Sequence, residues 1–222
     1  SIWQVYIVEL YASGAECSWT KEDGIHYIHI PDTTAGKNDA EERFQKTVFY
    51  WIATHYSGVK LYCHFNFTAD KVLATLLKEK LDAHIVFTLH YMEWKFYLNV
   101  KDERSLSRVL SSPQSTREKE LFLSFQQERD FMKQCCDSII TVSQHSYKLL
   151  QEIYGIDRSR ITCIPHGLCD TYRERSKQEL DDIRNKYHLS ANERIILYVG
   201  RLSDDKGLHL LIAAFKLLLK EH

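Results

Sequence analysis

The chain has 222 residues, 44% apolar and 27% charged, which is globular composition and excludes a disordered polymer. Its 29 Lys and Arg against 30 Asp and Glu leave a formal net charge of −1. No overall field therefore draws it to nucleic acid or to an anionic membrane, and any anion it binds must be held by a local cluster. No apolar run reaches the ~18 residues that span a bilayer. The opening Ser1-Ile2-Trp3 has neither the basic start nor the cleavage site of a signal peptide.

Strand and helix patterns alternate along the chain. Gln4–Tyr11 reads as a strand. After a loop containing Asp23-Gly24, Ile25–Ile30 reads as a second, stopped by Pro31. Phe44, Val48, Trp51 and Ile52 have helical spacing within 39–55. Lys60–Phe65 is a strand, and Thr68 is placed to cap a helix over 69–81. His84–Leu89 is a strand, and 91–112 reads as a loop with one short helix. Pro113 fits the first turn of a long helix to about Cys135, with Leu121, Phe125, Phe131 and Met132 on its apolar side. Ser138–Val142 is a strand, Ser143 caps a helix over 144–154, Gly155 ends it, and Arg160–Ile164 is a strand stopped by Pro165. A polar stretch over 170–193 holds a helix near Lys177–Tyr187. Arg194–Val199 then reads as a strand and Gly207–Glu221 as a helix.

Strands separated by helices imply a parallel sheet covered on both faces. The expected fold is α/β: a doubly wound, Rossmann-like domain over 1–170, a linker over 171–193, and a truncated second Rossmann-like unit over 194–222. The last helix carries Leu208, Leu210, Leu211, Ile212, Phe215, Leu217, Leu218 and Leu219, too much apolar surface for a solvated tail. It is expected to dock, in the same molecule or through self-association.

The six cysteines, Cys17, Cys63, Cys135, Cys136, Cys163 and Cys169, form no CxxC, so reduced thiols in a cytoplasmic protein are expected, with Cys135-Cys136 packed in the core. Eleven histidines form no HExxH, and no metal is expected.

Ligands of open parallel sheets bind beyond the carboxyl ends of the strands. The residues that follow each strand are Asn66-Phe67-Thr68, His90-Tyr91-Met92-Glu93, Ser143-Gln144, Pro165-His166-Gly167 and Gly200-Arg201. In GRLSDDKG (200–207), one glycine ends the apolar run and a second opens a helix, with Arg201 and Lys206 bracketing the loop. Helix N-termini present unpaired N–H groups and partial positive charge. Arg201 adds a planar fork and Lys206 a mobile point charge. Together they suit a diphosphate and could neutralise it without a divalent metal.

At this point YVGRLSDDKGLHLLIAAFKLL resembles the start of the second domain in GT-B glycosyltransferases of the retaining family 4 type. ITVSQHSYKLLQEIYGIDRSRITCIPHGLCD resembles the end of their first domain, and HIVFTLH the strand whose terminal histidine points into the cleft. The resemblance covers 60–222 with matching order. It implies transfer from a nucleotide-diphosphate sugar to a sugar, lipid-linked or peptide acceptor, with retention at the anomeric carbon. The leaving diphosphate itself would take the acceptor's proton, and no cofactor is implied. Arg201 and Lys206 match the pair that holds the diphosphate, while Gly200 and Gly207 frame that loop. His90 matches the first-domain histidine that bonds a sugar hydroxyl. His166 and Gly167 match the turn lining the cleft, with Asn66, Tyr91, Glu93 and Ser143 on the acceptor side.

The departures are equally legible. PHGLCD stands where the family has a Pro-Asn-Gly turn, the family's first strand and Gly-rich loop have no counterpart, and its carboxylate-bearing donor segment would lie past 222. The chain therefore reads as an internal slice of a longer transferase, inactive by itself. Two alternatives stay open: a sugar-nucleotide 2-epimerase of the same architecture, and a non-catalytic α/β scaffold. The rings of Tyr91, Trp94, Phe96 and Tyr97 could either meet an acceptor or pack the loop over the sheet.

Overall fold

A computed structural model describes residues 3–32, 40–92, 94, 103–167, 172–190, 193–203 and 206–221. The chain divides into two compact units, Ser1–Gly167 and Leu168–His222.

The first unit opens with three strands, β1 (Val5–Ala12), β2 (Ser18–Glu22) and β3 (Ile25–Pro31), in a sheet of order β1-β3-β2. The loop expected before β3 holds a strand instead. Asp23 and Gly24 both take positive φ, 49° and 81°, which is the two-residue turn whose twist matches antiparallel neighbours, so β2 folds back on β3 with Glu22 opposite Ile25. β1 runs parallel to β3, and the register sets Tyr6 on His26, ring centroids 4.8 Å apart, and Glu9 opposite His29, 2.5 Å from its Nδ1. Aromatic contacts fasten this sheet to α1 (Ala40–Tyr56): Trp19 meets Trp51 at 5.6 Å and Tyr11 meets Phe44 at 4.6 Å. These strands form their own small mixed sheet rather than extending the parallel one. The α/β fold is as expected, with its three opening strands in a separate small sheet.

The second sheet is β4 (Tyr62–Phe65), β5 (His84–Leu89), β6 (Ser138–Thr141) and β7 (Ile161–Cys163), all parallel and in chain order. Between them lie α2 (Lys71–Leu81), α3 (Glu103–Ser111), α4 (Thr116–Gln134) and α5 (Gln144–Glu152). Ile85, Phe87, Leu89, Ile139 and Thr141 are buried, and their neighbours Val86 and Ile140 are half-buried. One face of the sheet is thus sealed more fully than the even burial of both faces expected from the apolar runs. Cys135 and Cys136 are both core residues, as expected, and burial pushes their thiols up.

Polar side chains inside the unit terminate helices from a distance. Thr68 does not cap α2: 68–70 form a short 3-10 turn, and neither that turn nor α2 has a side-chain cap of its own. The buried Gln45 on α1 does the work. Its Oε1 accepts from Leu73 N–H at 3.0 Å, in the first turn of α2, and its amide donates to Ala69 O at 2.7 Å. Pro113 likewise lies outside α4, which starts at a capping box where Ser115 and Glu118 exchange bonds. At the other end of α4 the Arg160 guanidinium donates to the carbonyls of Met132, Lys133 and Cys136, where a cation also meets the helix dipole. Ser143 caps α5 as expected, accepting from Ser146 N–H at 3.1 Å.

In the second unit α6 (Lys177–Lys186) starts at a capping box between Ser176 and Glu179. The Arg173 guanidinium, 2.5 Å away, holds the Glu179 carboxyl down at about 2. Residues 193–199 form no strand, which corrects the expectation for Arg194–Val199. A strand exists through its ladder, and among the described residues these backbones have no strand partner. Ile195, Ile196, Leu197 and Val199 are exposed. The helix α7 (Leu208–Glu221) forms as expected, with Leu210, Phe215, Leu217 and Leu219 exposed. Among the described residues no helix is long and apolar enough to cross a membrane.

Asp137, at the entry to β6, ties helix to sheet. It accepts from Lys78 Nζ on α2 at 2.6 Å and from Ile85 N–H on β5 at 2.8 Å. Burial pushes its carboxyl up, but the ammonium and the N–H outweigh burial and the net shift is downward. A depressed folded pKa stabilises above the unfolded value, near 3.9, and that contribution is lost as pH falls through the folded value. Asp137→Asn should therefore cost about 1–3 kcal/mol at pH 7 in urea unfolding, with the gap to wild type closing below about pH 4. A gap undiminished in acid would contradict this role.

Candidate active site at the carboxyl ends of the parallel strands

Because the four strands of the second sheet are parallel, all their carboxyl ends open on one rim. Asn66 follows β4, His90 follows β5, Ser143 lies two residues past β6, and His166 three residues past β7. The exposed His90 stands 3.1 Å, Nε2 to Oδ1, from Asn66, and its ring stacks on that of His166 with centroids 5.8 Å apart and planes 9° from parallel. Phe67 flanks it at 6.4 Å.

The approach of His166 follows from chain direction. Ile164 N–H adds one more bond to the ladder, 2.8 Å from Thr141 O, and Pro165 then has no N–H to continue it. Strands lie about 4.8 Å apart, so β7 is roughly 10 Å from β5. For the rings to stack, the turn must carry His166 back across the end of β6.

The other rim residues sort by what they touch. The Ser143 hydroxyl accepts from Ser146 N–H in the α5 cap and donates to Ser146 Oγ at 3.0 Å. Tyr91 is exposed beside His90, and Gly167 is exposed beside His166. Glu93, Phe96 and Tyr97 lie outside the described residues. Of the aromatic group, Trp94 packs the loop over the helices. It is buried, and its indole N–H donates to Tyr154 Oη at 2.6 Å, which donates to Glu128 Oε1 on α4 at 2.8 Å. Met92 is buried as well. The segment leaving His90 is thus pinned into the interior within four residues.

One imidazole escaped sequence reading. His64, on β4, places Nε2 2.6 Å from the buried Thr88 hydroxyl, and burial, reinforced by the neighbouring His90, lowers its pKa. The rim therefore holds three imidazoles. A cavity of about 310 Å³ between α1, α2 and α4 has Thr68 on its wall but none of Asn66, His90, Ser143 or His166. Glu41, Glu42 and Glu128 on its walls carry the wrong sign for a phosphate.

In the second unit a neighbouring ring lies close over Gly200. A Cβ there would sit 2.8 Å from the Tyr198 hydroxyl, which folds over the glycine to donate to Arg201 O at 2.9 Å. Gly207, with φ +67, accepts the first helical bonds of α7 from Leu210 and Leu211. Arg201 and Lys206 are exposed on either side of this turn. Between them the Ser203 Oγ is buried with no hydrogen-bond partner among the described residues. That donor was overlooked in the sequence, where a serine in a polar loop carries no signal. The turn thus places a guanidinium, an ammonium and a hydroxyl just before the start of a helix, where partial positive charge gathers.

Four parallel strands in chain order with helices between them are the arrangement of the GT-B glycosyltransferase fold. The chain belongs to Glycosyltransferase Family 4, whose family model matches residues 44–171, more than half of it. The model for glycosyl transferases group 1 matches 180–222. A lipopolysaccharide 1,2-N-acetylglucosaminetransferase of Salmonella typhimurium is 36% identical over 78 residues, which is 35% of this chain and 19% of the relative. The solved structure of a sucrose-phosphate synthase from Thermosynechococcus elongatus matches with a TM-score of 0.64 at 18% identity, covering 96% of this chain and 50% of that one. The chain thus spans about half the length of its structural relative.

Removing the Tyr154 hydroxyl deletes two buried hydrogen bonds at once. Tyr154→Phe should cost about 1–3 kcal/mol in urea unfolding. A change under about 0.5 kcal/mol would show that the Trp94 segment is held by packing alone.

Proposed function

We propose that the full-length protein to which this chain belongs, the form used in the transfer assays below, transfers a glycosyl group from a nucleotide-diphosphate sugar to an acceptor with retention at the anomeric carbon. The observation that carries this reading is the rim of the parallel sheet, where Asn66, His90 and His166 arrive from three strands beside an exposed Tyr91. Family membership supports it independently.

In this reading the acceptor oxygen bonds to the anomeric carbon on the face from which the diphosphate leaves. The carbon–oxygen bond to phosphate breaks, and the acceptor's proton passes to a departing phosphate oxygen. The protein supplies position and electrostatics rather than a covalent nucleophile. Arg201 and Lys206 take the negative charge that grows on the diphosphate, and Ser203 offers a hydroxyl to the same group. His90 accepts from a hydroxyl of the donor sugar and sets electron density beside the developing oxocarbenium ion. In this reading the two cations balance the leaving group's charge without a divalent metal. The buried thiols of Cys135 and Cys136 favour a reducing, cytoplasmic setting.

Titration calorimetry with UDP and GDP tests the anion site. Arg201→Ala should weaken binding of the nucleotide that the wild type takes by about 1.5–3 kcal/mol, and unchanged affinity would remove Arg201 from that role. His90→Ala should lower the transfer rate roughly ten- to a hundredfold, equivalent to about 1.4–2.8 kcal/mol, with the fold intact. EDTA should leave the rate unchanged, and proton NMR of the product should show the donor's own anomeric configuration.

A further inference from the structure

His90 has two ring nitrogens, and which of them can accept a bond is fixed by its neighbours. The Asn66 amide presents Oδ1 to Nε2 at 3.1 Å. A carbonyl oxygen only accepts, so Nε2 must carry the hydrogen and Nδ1 keeps the lone pair. Among the described residues, no other hydrogen bond to the His90 ring competes with this assignment. One bond leaves the ring free to turn about the Nε2 contact. The face of His166 lies nearly parallel to the ring, centroids 5.8 Å apart, and favours that one plane.

We infer that Asn66 and His166 are positioning residues: Asn66 fixes His90 as its Nε2–H tautomer and His166 fixes the plane of its ring, so that Nδ1 faces the donor sugar as a ready acceptor. This rests on the glycosyl-transfer reading for its consequence, though not for its geometry. A hydroxyl of the sugar donates to Nδ1, and the bond to Asn66 at the opposite nitrogen makes Nδ1 the stronger acceptor. His166 does this with the flat side of its ring, so another flat ring should serve in its place.

The two positioning residues stand on different supports. Asn66 leaves β4, the neighbour of β5, while His166 reaches the same ring from two strands away across the end of β6. Neither is buried, so replacing either leaves the core untouched.

The test reads the tautomer directly. Long-range 1H–15N correlation of histidine-labelled protein, with His90 assigned by its loss in His90→Ala, should show hydrogen on Nε2 in the wild type. Asn66→Ala should turn this into a mixture of tautomers while urea unfolding stays unchanged. In transfer assays Asn66→Ala should lower kcat about fivefold with KM unchanged, the effect of one neutral hydrogen bond. His166→Ala should lower kcat by a similar factor, and His166→Phe should restore most of that loss. Hydrogen on Nδ1 in the wild type, or a tautomer indifferent to Asn66→Ala, overturns the role of Asn66. A His166→Phe variant as impaired as His166→Ala overturns the role of His166 as a stacking surface. A full-length wild type with the Nε2–H tautomer but without transfer activity leaves the positioning intact and defeats the functional reading instead.

Discussion

Everything at the candidate site depends on the parallel hydrogen-bond ladder that joins β4, β5, β6 and β7 in chain order. Parallel pairing puts every carboxyl end at one edge, so residues far apart in sequence, Asn66, His90 and His166, arrive there without any contact of their own to bring them together. The ladder also sets their spacing. Adjacent strands bring Asn66 within hydrogen-bond reach of His90, and only the Pro165 turn closes the larger gap that β6 imposes on His166.

The sheet that carries the rim is tied to its helices by buried and half-buried polar side chains. Gln45 supplies the missing cap of α2, Arg160 collects the last carbonyls of α4, and Asp137 joins α2 to β5. The chain from Trp94 through Tyr154 to Glu128 locks the segment that leaves His90 between α4 and the end of α5. Each of these groups costs free energy to desolvate and returns it only when every partner is in place, so they favour one arrangement of helices on the sheet over its near neighbours.

Much of this was legible in the sequence because its signals are local. The apolar runs at His84–Leu89 and Ser138–Thr141, the Ser143 cap and the helix after Gly207 follow from periodicity and capping alone. The rim residues were named from the rule that ligands gather where parallel strands end. What escaped was non-local. β2 has no apolar alternation, since all five of its residues are exposed, and only the Asp23-Gly24 turn betrays it. Thr68 looked like a cap because the true one, Gln45, lies 28 residues before the N–H it serves. The apolar run at 194–199 has strand composition, yet composition supplies no ladder, and among the described residues nothing pairs with it. The meeting of His90 and His166 needed the strand order, which no single segment encodes.

The central claim is that this rim faces the sugar of a nucleotide-diphosphate donor. It is tested most directly by following the imidazole resonances of His64, His90 and His166 in histidine-labelled protein through titration with UDP-linked and GDP-linked sugars, using the matching free nucleotides as controls. The account predicts that a sugar nucleotide that binds shifts the His90 and His166 signals beyond anything its free nucleotide does. Saturation with a sugar nucleotide that the protein turns over, leaving both rings unmoved, would contradict it.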